Sequence, residues 1–254
     1  MSHPYFDNGG YPAALAHRGF SLEGLENSMK AFQAAVDLGY RYLETDAHGT
    51  ADGVAVALHD ETLDRTTDAT GRVDERRWSS VKAAKIGGLE PVPTLEDVLA
   101  TWPDVKVNID VKGESGIVPV AKAIERTKSH DRVCLGSFSA ERRRATLKLL
   151  SRPVATPAAQ REAVAWWLGS FVGADTNKTL GDVDALQIPW RQKNVPIIFP
   201  GHIAKAHAAG KQVYIWTVNR RDHMNRLLDM GVDGIVSDRA DLLKEVLLAR
   251  GQWA

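Results

Sequence analysis

Cysteine is nearly absent. The chain has one, Cys134, in 254 residues, so no internal disulfide can form. That fits a reducing compartment. Cys134 sits in the apolar run RVCLGSF, the setting of a buried strand residue rather than a nucleophile. Long apolar runs are missing too: none approaches the roughly 20 residues that span a bilayer. The opening stretch MSHPYFDNGGYPAAL has neither the basic region nor the apolar core of a secretory signal. A cytoplasmic protein with no stable membrane insertion is expected. Charge of either sign is not in excess. Lys+Arg and Asp+Glu number 32 each, which removes the bulk electrostatic case for nucleic acid or an anionic lipid surface. No GxGxxG or GxxxxGK[ST] loop follows any predicted strand, so the usual Gly-rich phosphate cradles are not expected either.

What remains is ordinary globular composition, 44% hydrophobic and 25% charged, enough to bury a core. Short apolar strands alternate with helical patterns from end to end. Strands are predicted at ALAHRG (14–19), YLETDAH (42–48), VKVNIDVKG (105–113), RVCLGSF (132–138), QVYIWTVN (212–219) and VDGIVSD (232–238), with less legible ones in RPVATPA (152–158) and DALQIPW (184–190). VAVALHD (54–60) is a further extended piece. Helices are predicted at SMKAFQAAVDLG with Asn27 as N-cap, and at PTLEDVLATW with Thr94 as N-cap. Strand–helix alternation means a parallel sheet with right-handed crossovers. About eight such units, apolar at the strand starts and polar at the strand ends, give an α/β fold: a (β/α)8 TIM barrel with its site on the C-terminal face. A doubly wound open sheet is the competing arrangement. Residues 1–254 are expected to form one domain, with a small insertion after the second strand at approximately 49–91.

The polar strand ends carry the chemistry. Glu44 and Asp46 are two apart on a strand, so both face one side. Acidic groups inside a strand are costly unless paired or bound to a cation. Asp110 and Lys112 repeat that spacing on another strand. Three carboxylates would make an all-oxygen site for a hard cation, Mg2+ or Ca2+. The bland alternatives are ion pairs: an acid with Arg41 or Arg18, and Asp110 with Lys112. His17 and Arg18 close the first strand, and Gly19 permits a turn there. His59 ends the alternating run VAVALHD. Taken singly, HR and HD are unremarkable surface pairs. Together these residues supply two proton carriers, a fixed guanidinium fork and a cation site, a set suited to metal-assisted phosphodiester cleavage.

The ordered set AHRG (16–19), EN (26–27), ETD (44–46), DGVAVALHDETLDRTT (52–67), PTLEDVL (93–99), NIDVK (108–112), WTVN (216–219) and GVDGIVSD (231–238) resembles the glycerophosphodiester phosphodiesterase family. The resemblance covers nearly the whole chain and is weakest over 140–200. It implies a (β/α)8 barrel with an insertion after the second strand. It also implies hydrolysis of a small-molecule glycerophosphodiester to an alcohol and glycerol 3-phosphate with a divalent cation. Matched motif to motif, His17 and His59 fall on the acid/base pair and Arg18 on the phosphate-binding arginine. Glu44, Asp46 and Asp110 fall on the metal ligands, Lys112 beside the phosphate, and Trp216 on the wall of the glycerol pocket. Two departures stand out: NIDVK where the family usually has NIEIK, and His48, which is either a further contact in the site or a loop residue that has left the barrel.

Within that expectation a neighbouring hydroxyl could attack first and give a cyclic phosphate, or water could attack directly. A phospholipase D-like enzyme that releases the cyclic phosphate would share these residues. So would a barrel that binds phosphorylated ligands without turning them over.

The remaining candidates have structural readings. The basic run 141–152 is expected to be a solvated helix face, and Trp166-Trp167 to pack in the core. His202, His207 and His223 lie away from strand ends.

Overall fold

The computed structural model describes residues 3–193 and 195–253. The strands of its main sheet are β1 (Ala13–His17), β2 (Tyr42–Gly49), β3 (Ala55–Ala57), β4 (Lys106–Val111), β5 (Val133–Gly136), β6 (Ala185–Pro189), β7 (Gln212–Trp216) and β8 (Gly234–Ser237). The parallel sheet runs in the order β5-β4-β2-β1-β8-β7-β6. The ring is closed by residues 155–157, which bridge in parallel to Cys134 on one side and Ala185 on the other. Leu135 N donates to Ala155 O and Ala158 N to Ala185 O, 2.8 Å each. This short piece occupies the eighth parallel position and completes the barrel.

The helices are α1 (Met29–Asp37), α2 (Trp78–Ala83), α3 (Leu95–Thr101), α4 (Ile117–Thr127), α5 (Ala140–Leu147), α6 (Gln160–Phe171), α7 (Thr176–Leu180), α8 (Pro200–Ala208), α9 (Arg221–Asp229) and α10 (Ala240–Ala249). Thr94 caps α3 as its sequence predicts, accepting from Asp97 N at 2.9 Å. At α1 the cap is Ser28, whose hydroxyl accepts from Ala31 N. The expectation for Asn27 is thus wrong by one residue: Asn27 lies at φ 60° and turns its side chain into the barrel mouth. None of the described helices is long and apolar enough to cross a membrane.

Period-2 alternation divides every strand between two environments. Leu43 packs outward with Phe32 and Ala35 of α1, while Val107, Ile109 and Val111 pack with Val120 and Ile124 of α4. The inward set begins apolar. Tyr5, Leu15, Tyr42, Cys134, Tyr214 and Val236 form one cluster that floors the barrel. Cys134 is buried there as a free thiol, as expected. Two residues further along the same inward rows stand His17, Glu44 and Trp216.

After Gly49 the chain leaves the parallel sheet, and the excursion begins as a hairpin. β3 pairs antiparallel to β2, with His48 opposite Val56. The extended piece expected at 54–60 is a strand only over Ala55–Ala57. The insertion has its own apolar cluster, in which Leu63, Val73, Val81 and Ile86 surround Leu25 of the β1–α1 loop. Trp166 is buried, as its packing role requires. In the run 141–152 Arg143 departs from the solvated-face expectation. It is buried, pairs with Glu162 at 2.8 Å and donates to Pro157 O, which ties α5 to the short piece that closes the barrel.

Candidate active site

His17, Arg18, Glu44, Asp46, Asp110 and Lys112 meet at the C-terminal mouth, and Trp216 adjoins them through Phe138. The β1 end turns sharply because Arg18 lies at φ 55° and Gly19 at φ 82°. A Cβ on Gly19 would stand 2.6 Å from the Ala31 carbonyl carbon, so only glycine allows α1 to approach this closely. The turn points the Arg18 amide at Glu44 Oε2, 3.1 Å away. Its guanidinium reaches Glu26 with NH1 at 2.9 Å and Asp46 with Nε at 2.9 Å. The second contact is an ion pair out of hydrogen-bond alignment.

β2 and β4 run in register, so Asp46 stands beside Asp110. Lys112 Nζ lies between them, 2.9 Å from Asp46 Oδ1 and 2.7 Å from Asp110 Oδ2. Asn27 Nδ2 donates to Asp46 Oδ2 at 3.3 Å. Burial opposes the charge on Asp46, but Lys112 and Arg18 outweigh it and hold its carboxyl below the usual range. Burial likewise opposes Lys112, and Asp110 and Asp46 overcome it and raise the ammonium. Asp110 is raised by burial, against the pull of Lys112. Glu44 faces the His17 imidazole at 3.8 Å and accepts from the Arg18 amide, but has no lysine or arginine ion pair among the described residues. Burial, and then the Asp46 carboxylate, push it up to about 7.

Each histidine is oriented by a carboxylate on Nδ1. His17 Nδ1 is 2.5 Å from Asp238 Oδ1 at the end of β8, and Asn219 steadies the other oxygen at 2.6 Å. Burial lowers the His17 imidazole, but Glu44 and Asp238 more than compensate and leave it raised. His17 Nε2 then faces Glu44 Oε2 at 3.8 Å. His59 Nδ1 is 2.6 Å from Asp60 Oδ1. A carboxylate can only accept, so in a neutral ring the proton sits on Nδ1 and Nε2 keeps its lone pair. His59 is close enough to Asp46 to help hold that carboxyl down.

His48 takes neither of the roles expected for it. It remains in β2, is buried, and donates Nε2–H to the His59 carbonyl at 3.1 Å. Burial lowers it, which suits a neutral donor. Trp216 meets Phe138 edge-on at 6.0 Å, and Lys112 Nζ lies 5.3 Å from the Phe138 ring. The aromatic wall therefore adjoins the cationic centre.

Asp238, Asn219, Phe138 and the Glu26–Arg65–Asp60 group were not picked out as site residues. The signal for Asp238 and Asn219 was their place in VSD and WTVN, both polar strand ends. Phe138 closes the predicted strand RVCLGSF, but β5 ends at Gly136, and Arg65 stands past the extended piece 54–60, so both lie in loops whose direction the alternation rule does not set.

Glu44, Asp46 and Asp110 form an all-oxygen donor set, the chemistry a hard cation takes. Asp110 Oδ1 is buried with no hydrogen-bond partner, and Glu44 has no lysine or arginine ion pair among the described residues. Both features fit a cation. As the side chains stand, no three His, Cys, Asp or Glu groups among the described residues converge closely enough to hold one, because Lys112 occupies the space between Asp46 and Asp110.

The raised groups carry a pH signature. A group whose folded pKa is raised stabilises the fold fully below its unfolded pKa, and that contribution is lost as pH rises through the folded value. Glu44, Asp110 and His17 all have this sign. Asp46, held low, does not titrate in the same window. The ion-free protein should therefore lose stability as pH rises from the ordinary carboxylate range through the Glu44 value of about 7. Urea unfolding in EDTA measures this, and a flat or rising profile contradicts it.

Comparison with known proteins places the chain in a family. A sequence model of the Glycerophosphoryl diester phosphodiesterase family matches residues 17–242. A protein named probable glycerophosphodiester phosphodiesterase 2 of Mycobacterium tuberculosis is 48% identical over 243 residues, 94% of this chain and 92% of that one. The crystal structure of a glycerophosphodiester phosphodiesterase from Agrobacterium tumefaciens superposes with a TM-score of 0.75 at 25% identity, over 92% of this chain and 98% of that one. An Oleispira antarctica phosphodiesterase, solved with the product sn-glycerol-3-phosphate, has the same fold, with a TM-score of 0.76 at 21% identity over 94% and 98% of the two chains. The chain belongs to the glycerophosphoryl diester phosphodiesterase family.

Proposed function

We propose that this enzyme hydrolyses small glycerophosphodiesters to an alcohol and glycerol 3-phosphate. His17 and His59 serve as the acid/base pair, and Mg2+ or Ca2+ is held by Glu44, Asp46 and Asp110. The observation that carries the reading is the pair of histidines, each with Nδ1 tied to a carboxylate, beside two cationic side chains in a mouth lined by acids. Product-bound phosphodiesterase chemistry in a protein of the same fold supports it.

When bound, the cation would neutralise phosphoryl oxygens and lower the cost of the charge that develops there. The chain's own groups do the rest. Arg18 offers a fixed fork to the phosphate, and Lys112 a point charge. One histidine withdraws the proton from the attacking hydroxyl or water, and the other returns a proton to the leaving alkoxide. Their Nδ1 carboxylates keep both rings in the tautomer that exposes Nε2 to this traffic. Trp216 and Phe138 wall the glycerol side. His48 fixes the backbone that carries His59. The fold and this donor set place no demand for a membrane partner or for nucleic acid.

The test is release of glycerol 3-phosphate from glycerophosphocholine with Mg2+ or Ca2+, with and without EDTA. Turnover that EDTA abolishes and either ion restores is the expected result. Full activity in EDTA removes the metal assignment, and no turnover with any divalent ion removes the substrate class. Phosphorus NMR of the reaction separates a cyclic phosphate from direct hydrolysis.

A further inference from the structure

One side chain from the insertion touches both halves of the site. Arg65 donates from Nε to Asp60 Oδ2 at 2.6 Å and from NH2 to Asp60 Oδ1 at 3.1 Å. The same guanidinium donates from NH1 to Glu26 Oε2 at 3.2 Å and from NH2 to Glu26 Oε1 at 2.7 Å. Asp60 Oδ1 is the oxygen that holds His59 Nδ1, and Glu26 Oε1 the oxygen that holds Arg18 NH1. A continuous chain of contacts thus runs from His59 through Asp60, Arg65 and Glu26 to Arg18, and from there to Asp46. We propose that Arg65 is a positioning residue, a clamp that sets the separation and orientation of the proton carrier His59 and the phosphate-binding Arg18.

Only arginine can do this. Its planar fork offers five N–H donors in fixed directions, enough for two carboxylates at once, whereas an ammonium is a point donor. The clamp also answers an electrostatic difficulty. Asp60 and Glu26 are two anions at the rim of a site for an anionic substrate, and Arg65 lies between them. The two groups it joins come from different parts of the fold, the loop after β1 and the loop after β3. Leu25, next to Glu26, packs into the insertion's apolar cluster, so the clamp sits where insertion meets barrel. Arg65 itself is half exposed, with 49% of its side chain accessible. Exposed ion pairs add little to stability. The reason for so complete a network is then geometric rather than energetic.

The proposal rests on the roles given to His59 and Arg18 above, and the experiment separates the two. Arg65→Ala and Arg65→Lys are assayed in the full chain with Mg2+ or Ca2+ on glycerophosphocholine, beside His59→Ala and Arg18→Ala. Misplacing both groups by a fraction of their reach should lower kcat/KM of Arg65→Ala by about 10²-fold. Arg65→Lys should stay well below wild type despite its charge, and added guanidinium should partly restore Arg65→Ala. Tm should not change. Nitrogen-15 NMR of the histidines should show His59 shifting from the Nδ1–H tautomer to a mixture in Arg65→Ala. Wild-type kcat/KM and unchanged His59 shifts in Arg65→Ala overturn the clamp, as does a loss of activity that only mirrors a lowered Tm. If His59→Ala and Arg18→Ala are themselves active, the roles on which the clamp rests have failed instead.

Discussion

His17→Ala and His59→Ala should each lower kcat by about 10²–10⁴-fold, with the fold intact. The two are not duplicates. His17 is enclosed between Asp238 and Glu44, and its raised imidazole suits the partner that delivers a proton to the leaving oxygen. His59 is more open, with 34% of its side chain accessible, and its Nδ1 bond to Asp60 leaves the Nε2 lone pair to accept one. In the proposed mechanism each histidine serves one proton transfer, so the double variant should be little worse than the slower single one. Groups that act as a unit lose their effect together. The check is steady-state kinetics with saturating divalent ion, with circular dichroism to verify folding. A near-wild-type kcat in either variant removes that histidine from the reaction.

Asp46 and Glu44 stand two residues apart on one strand and should fail in opposite ways. Asp46 is 2% accessible and holds Arg18, Lys112 and Asn27. Removing it takes a shared counter-charge from two cations in a buried mouth, leaving Glu26 to Arg18 and Asp110 to Lys112. Breaking a buried pair in this way costs about 3–5 kcal/mol. Asp46→Ala should thus unfold at markedly lower urea and show no turnover. Glu44 is the carboxylate that burial pushes toward neutrality. Glu44→Gln replaces it with a neutral group of the same shape, so stability in EDTA should hold or rise while activity is lost. Stability gained on adding Mg2+ or Ca2+ should also shrink, because ligand binding to the native state is itself a stabilising term. Equal urea midpoints for Asp46→Ala and wild type would mean that Arg18 and Lys112 find other partners. An unchanged ion effect in Glu44→Gln would take Glu44 out of the ligand set.

Much of this was legible along the chain because a strand sorts its residues by parity. Tyr42, Glu44 and Asp46 alternate with Leu43 and Thr45, and the inward row goes from apolar floor to acidic mouth. The same parity holds for Asp110 with Lys112, and it places His17 and Trp216 at their strand ends. The eight-unit count was legible for a similar reason, although the piece at 155–157 pairs through isolated bridges and carries little β-propensity of its own. Asn27 and Ser28 are both good cap residues by type, and only the backbone decides between them: Asn27 lies at φ 60° with its side chain on Asp46, and Ser28 caps α1.

The sequence by itself determined the barrel, the polar strand ends and the identity of the groups gathered there. These follow from local periodicity and from the cost of burying charge, both of which are written residue by residue. Tertiary structure alone decided which group answers which. The carboxylate that orients His17 lies 221 residues away, and the acid that Arg65 joins to Asp60 lies 39 residues before it. Such pairings depend on how loops of different strands meet over the mouth, and no local pattern encodes that meeting. The same holds for Lys112, whose place between Asp46 and Asp110 arises from the register of β2 against β4. Register is a property of two strands together, so neither stretch of sequence could specify it alone.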